Sequence, residues 1–180
     1  MKKILFSIAT IAIIGLTSCS KQVEVSSPYH VGEYLNGGLV AYNDPTGQHG
    51  LLSSGVDLAS YAPFSVSKLN VQTSTMYGTG ADNTLAILNQ SRFDGDFYAA
   101  YWTTLYISGT NEWYLPSKDE LNIIYLNKSK LNWHQNKWTS IYQSSSVDEN
   151  GNVWVQDFNT GKQFTQGQLD SAAVRAVKQF

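Results

Sequence analysis

The sequence predicts an α+β domain, and three observations carry that expectation. Helical periodicity is concentrated in the middle of the chain, and one of those helices opens on a capping tetrapeptide at Ser117. Strand patterns come from both flanks, the later ones folded about an Asn150-Gly151 turn.

Taken in order, Gly38 to Tyr42 and His49 to Ser53 read as two short strands. The Asn43-Asp44-Pro45-Thr46-Gly47 segment between them has strong turn chemistry. Residues 55–80 mix aromatics with Ser and Thr and carry no assignable period. Helices are expected over about Asp82 to Gln90, where Leu85, Ile87 and Leu88 are apolar, and over about Asp96 to Tyr106, with Asp96 as its cap. From Ser117, the Ser oxygen is placed to accept the amide of Glu120 while Glu120 reaches back to the cap amide. Leu121, Ile124 and Tyr125 then share one face. The adjacent carboxylates of Asp119 and Glu120 read as first-turn acids favoured by the helix dipole rather than as an acid/base pair. Strands follow over Trp138 to Ser145 and Asn152 to Phe158, a turn at Asn159 to Lys162, and a closing strand from Ala172 to Phe180.

The N-terminus stands apart from this domain. Lys2 and Lys3 precede a 13-residue apolar stretch from Ile4 to Leu16, the layout of a secretory signal and too short to span a bilayer. Leu16-Thr17-Ser18-Cys19 resembles the lipobox of bacterial lipoproteins. That resemblance implies cleavage after residue 18 and acylation of Cys19. Several acyl chains make a durable tether where one gives only marginal binding. The membrane is then a partner through lipid alone. Ser20 replaces the Asp that retains many lipoproteins in the inner membrane, which points to the outer membrane. Residues 19–28 form a polar linker, and 29–180 a single domain.

Loss of Lys2 and Lys3 with the signal moves the formal charge from −2 to −4 over 162 residues. No basic run remains, which argues against nucleic acid as a partner. Charged residues are only 14% of the chain, against about 25% in typical domains, so amides and hydroxyls supply much of the polar surface. Cys19 is the sole cysteine, leaving no disulfide, thiolate metal site or cysteine nucleophile once it carries lipid.

Six landmarks in order resemble the family named for the C-terminal domain of the Legionella collagen-like adhesin. They are Val31-Gly32-Glu33-Tyr34 with Gly37-Gly38-Leu39-Val40, Thr46 to Leu51, Gly80 to Thr84, Trp113 to Leu121, Trp138-Thr139-Ser140, and Val174 to Val177. The resemblance implies a C-type-lectin-like fold with a mixed, mostly antiparallel sheet flanked by two or three helices. It also implies a non-enzymatic adhesion or glycan-binding role outside the cytoplasm. Two departures matter: the domain is acidic with two Arg in all, and no collagen-like stalk precedes it. A neutral glycan or a protein partner therefore fits better than a polyanion.

Candidate sites follow from side-chain chemistry. Trp133, in the polar run Asn132 to Lys137, is the expected ligand-stacking residue, with His134, Lys137 and Tyr142, and also Gln143, as companions. His49 has no ligand partner at metal spacing, and Arg175 is expected to hold a carboxylate internally. No cofactor is expected. Lectin calcium triplets are missing. Asp148 to Asn152 echoes a calcium loop but lacks its third acidic position and distal Glu, so it reads as a hairpin turn. Asp94-Gly95-Asp96 likewise reads as a turn with a helix cap. Asp170-Ser171-Ala172 resembles an acidic-Ser-aliphatic O-glycosylation tripeptide. Nucleophile-elbow, zincin and phosphate-loop motifs are absent, so no enzyme is expected. Two rival functions stay open: an assembly subunit binding an envelope protein, and a carboxylate-dependent glycan hydrolase.

Overall fold

A computed structural model describes residues 28–91, 97–109, 112–131 and 139–180. Cys19 and the linker lie outside these residues, as do Asp94 to Asp96 and Trp138. Two sheets organise the chain. The first contains β1 (Tyr34–Leu35), β2 (Gly38–Asn43), β3 (Gly50–Ser53) and β9 (Val177–Gln179), in that order and antiparallel throughout. The second has the order β4 (Ala59–Pro63), β8 (Ser171–Val174), β5 (Ile141–Val147), β6 (Val153–Asp157) and β7 (Gln163–Gln166). Only the β5–β8 pair is parallel. Helices α1 (Gly80–Gln90) and α3 (Lys118–Asn127) pack on β5, and α2 (Ala99–Thr104) packs on β4 and β8. This is an α+β architecture, as expected, with the strands divided between two sheets.

That division corrects the closing strand. Residues 172–180 do not form one strand: β8 ends at Val174 and β9 begins at Val177 in the other sheet. Residues 54–58 make the matching crossing between β3 and β4. The two crossings are tied at both ends, where Ser54 N–H donates to Ala176 O at 2.9 Å and Leu58 N–H to Val174 O at 2.8 Å, while the register slips across residues 55–57. Arg175 sits at this junction, 3% exposed, with Nε and Nη2 donating to Asp57 Oδ1 at 2.9 and 2.7 Å. Its Nη1 donates to Ser54 O at 3.3 Å. Tyr142 on β5 donates to the other oxygen of Asp57 at 2.8 Å. The internal carboxylate expected for Arg175 is therefore Asp57.

The helices follow the sequence with two changes. In α3 the capping box is complete: Ser117 Oγ accepts Glu120 N–H at 3.3 Å, and Glu120 Oε2 accepts Ser117 N–H at 2.7 Å. In α1 the buried face is Gly80, Asn83, Thr84 and Ile87, while Leu85 is 58% exposed. Two polar residues replace the expected leucine because their groups are used inside. Asn83 bonds both backbone groups of Ser74 at 2.9 and 2.7 Å, and Thr84 Oγ1 accepts Leu115 N–H at 3.0 Å. Helix α2 is shorter than expected and follows Tyr98, which provides no side-chain cap.

The hairpin at Asn150-Gly151 joins β5 to β6, with Gly151 at φ 77°, a value that favours glycine. A second hairpin adds β7 through Gly161 at φ 81°. Strand β7 has no apolar alternation to announce it. The stretch from Phe64 to Thr79 remains without regular structure and is held by side chains from elsewhere. Ser146 Oγ donates to Ser74 O at 2.7 Å, and Thr73 Oγ1 accepts Val147 N–H at 2.7 Å.

Removing one partner of the junction pair leaves a buried charge uncompensated. Asp57→Asn is expected to destabilise the domain by about 3 kcal/mol. Urea unfolding reads this as a lower midpoint at an unchanged m-value.

Candidate functional site

A groove of about 410 Å³ lies between two walls. One wall is the extended run Lys68-Leu69-Asn70-Val71-Gln72, and the other is the β5–β6 turn, Asp148 to Gly151. The first wall alternates by its period of two. Leu69 and Val71 are buried in the apolar core beside Phe64 and Val153, while Lys68, Asn70 and Gln72 are exposed along the groove. A second hollow of about 240 Å³ shares Lys68 and Gly151 and is closed by Gly167 to Asp170.

Gln168 holds the walls together. Its Oε1 accepts Leu69 N–H at 2.7 Å and the Ser65 hydroxyl at 3.2 Å. Its Nε2 donates to Leu69 O at 3.0 Å and to Gly151 O at 2.8 Å. All four bonding positions of the amide are thus used, two of them on the first wall and one on the second. Gln168 is 5% exposed, so no water substitutes for these partners cheaply.

Asp148 is occupied by its own turn. Oδ1 accepts the N–H groups of Asn150 and Asn152 at 2.9 and 2.8 Å, and Oδ2 accepts Asn152 Nδ2 at 3.3 Å. Partial desolvation acts to raise its pKa, but bonds from Asn152, Asn150 and Gly151 outweigh it and hold the carboxyl below its usual value. These bonds are those of a turn, in line with the hairpin reading of this segment. Glu149, Asp170, Lys68 and the amides of Asn70, Gln72 and Asn150 remain on the groove's surface. The lining is rich in hydrogen-bonding groups, with carboxylates outnumbering its one cation.

Trp133, His134 and Lys137 lie outside the described residues. Tyr142 is corrected as a ligand residue: it is fully buried against Phe158, with ring centroids 4.4 Å apart, and its hydroxyl serves Asp57. Strand β5 is central and covered by helices, which removes Tyr142 from solvent. Gln143 is also fully buried. With its amide turned to satisfy both groups, it donates to Ala62 O and accepts from Phe64 N–H, each at 3.0 Å. His49 is exposed beside the Asp44 turn, and Ser171 is exposed at the start of β8. Among the described residues no group of three or more His, Cys, Asp or Glu is placed to hold a metal ion. No described helix is long and apolar enough to cross a membrane.

Glu120 is the most deeply buried carboxylate described, with no exposed surface. Burial pushes its pKa above the usual 4.5, against the lowering effect of bonds from Ser117, Gly78 and Tyr114. It accepts Gly78 N–H at 3.1 Å and the Tyr114 hydroxyl at 3.1 Å besides its cap bond. Burial, then the Glu120 charge, raise Tyr114 further above the phenol range, and push Tyr77 up to about 12. With Gly80 pressed against it and α3 capped by it, Glu120 serves the fold. A Cβ on Gly80 would lie 2.2 Å from Glu120 Oε2.

No protein-family model matches the chain, and no curated protein matches it. The groove therefore stands on its own geometry.

Two outcomes follow. Gln168→Ala is expected to cost about 2–4 kcal/mol, since Leu69 N–H and Gly151 O lose their buried partner, which chemical denaturation measures. Glu120→Gln sets a donor against Ser117 N–H and lowers stability by about 1–2 kcal/mol at acid pH. Because the folded pKa of Glu120 is raised, the native state binds its proton more tightly than the unfolded chain does. The wild type then loses stability as pH climbs through and above 4.5, and its advantage over Glu120→Gln narrows across that window. Unfolding curves from pH 4 upward check the sign.

Proposed function

We propose that the chain is a non-catalytic, lipid-anchored binding module of the outer membrane, with a C-type-lectin-like domain whose groove takes a neutral glycan. The observation that carries this reading is the groove itself. A recess of about 410 Å³ falls within the range of small-ligand sites, and its exposed lining is made of amides and carboxylates with Lys68 beside them. Such groups orient hydroxyls by hydrogen bonds, and an excess of carboxylate disfavours polyanions. The lectin-like reading draws support from the pairing of β9, at the chain's end, with β3 near its beginning. Absence of catalysis is favoured by the employment of Asp148 and Glu120 in a turn and a cap. The anchor rests on Cys19 and its lipobox-like setting.

The test is a glycan array probed with the detergent-solubilised lipidated chain, with and without calcium. Saturable binding is expected, unaffected by calcium and weakened at least tenfold by Asn70→Ala or Asn150→Ala, both exposed positions. Loss through Trp133→Ala with Asn70→Ala silent moves the site to the 132–137 segment. Silence of folded protein across the array overturns the glycan reading in favour of a protein partner, and steady loss of polysaccharide mass would revive hydrolysis.

A further inference from the structure

Side-chain amides clasp the backbone on either side of Val71. Gln168 holds Leu69, its Oε1 accepting the N–H at 2.7 Å and its Nε2 donating to the C=O at 3.0 Å. Farther along, Asn83 holds Ser74 in the same way, at 2.9 and 2.7 Å. One small planar group thus serves both the donor and the acceptor of a single residue, because the two stand on the same edge of an extended chain. Val71 has no such clasp. Among the described residues, nothing bonds to its N–H or to its C=O.

Alternation says where that pair points. Burial switches at every residue from Lys68 to Gln72, and Leu69 and Val71 both send their side chains into the core. Their backbone groups therefore share one edge, about 6.6 Å apart. For Leu69 that edge faces the β5–β6 turn, since the amide that clasps it also donates to Gly151 O at 2.8 Å. At the far end of the run, Thr73 Oγ1 accepts Val147 N–H at 2.7 Å, which holds the chain beside the same hairpin. Val71 is only 3% exposed, yet it lines the groove. With its side chain in the core, what it presents there is backbone. Buried backbone groups are almost always paired, with protein or with ordered water. The Val71 pair is a donor and an acceptor held in place for whatever enters the groove.

We propose that the N–H and C=O of Val71 are the specificity element of the groove, holding two neighbouring hydroxyls of one sugar ring, one as acceptor and the other as donor. This rests on the reading of the groove as a glycan site. Vicinal hydroxyls carry an acceptor and a donor side by side, as the Gln168 amide does for Leu69, and no cation is needed to hold them. A carboxylate or phosphate offers acceptors alone and leaves the C=O unserved, so the pair selects neutral ligands. A lone acetamido group fails differently, because its trans N–H and C=O point apart.

The test replaces the amide joining Asn70 to Val71 by an ester, introduced into the full chain as the α-hydroxy analogue of valine. That change deletes the Val71 N–H and keeps the buried side chain. Lipidated protein in a sugar-free zwitterionic detergent is titrated with the methyl pyranosides of glucose, galactose and mannose, read by saturation-transfer NMR. At least one is expected to bind, with Kd raised at least fivefold by the ester and binding abolished by full O-methylation of the sugar. The urea midpoint is expected to stay unchanged, whereas an ester at Leu69 lowers it by deleting the Gln168 bond. A lowered midpoint for the Val71 ester means that this N–H is bonded inside the fold, and overturns the proposal. Sugar binding that Asn70→Ala weakens and the ester leaves untouched overturns the pair while keeping the glycan site. Silence of all three sugars, each of which carries vicinal hydroxyls, overturns the pair whatever the array finds. Binding of a Thr-Val repeat peptide that the ester weakens, with the sugars silent, assigns the edge to a peptide strand and overturns pair and glycan site together.

Discussion

The Asp57 carboxylate is the constraint on which the two-sheet arrangement depends. It lies in the crossing from β3 to β4, and Arg175 lies in the opposite crossing from β8 to β9. One carboxylate oxygen receives two guanidinium bonds, and the other receives the Tyr142 hydroxyl from the central strand of the second sheet. Three segments distant in sequence are thereby fixed at one point. Ion pairs this deeply buried gain little net stability over a well-packed apolar alternative. What this one sets is geometry: the two crossings change sheets together, with Asp57 in the unpaired step between Ser54 and Leu58.

Around that point the protein relies on neutral polar side chains more than on charge. Gln168, Asn83, Thr84, Ser145 and Ser146 are buried and bonded to backbone groups of segments without regular structure. A backbone group left unpaired in the interior costs more than a hydrogen bond contributes, so each of these side chains makes an irregular segment tolerable there. This is where the low charge content of the sequence is spent. Its Ser, Asn, Gln and Thr are not all surface solvation; a good share carry the stretch from Phe64 to Thr79.

Legibility in the sequence tracked the range of the interaction. The capping box at Ser117 and the turn at Gly151 are local events, complete within a few residues, and both stand where their residues placed them. The break in the closing strand is tertiary, because Ser171–Val174 and Val177–Gln179 differ only in the strands that receive them. Tyr142 misled for a related reason: the carboxylate that holds its hydroxyl inside the fold is 85 residues away, at Asp57. The groove was hidden twice over. Lys68 to Gln72 alternates as a strand does yet has no neighbouring strand, and Gln168 reaches it across 99 residues. The alternation alone was a signal available at residues 68–72.

The most direct test of the central claim is amide chemical-shift mapping of the isotopically labelled chain during titration with a bound glycan. Shifts are expected to concentrate on residues 68–72 and 148–151, with Gln168 and Gly151 moving together. Shifts gathered elsewhere, with those two segments silent, would contradict it.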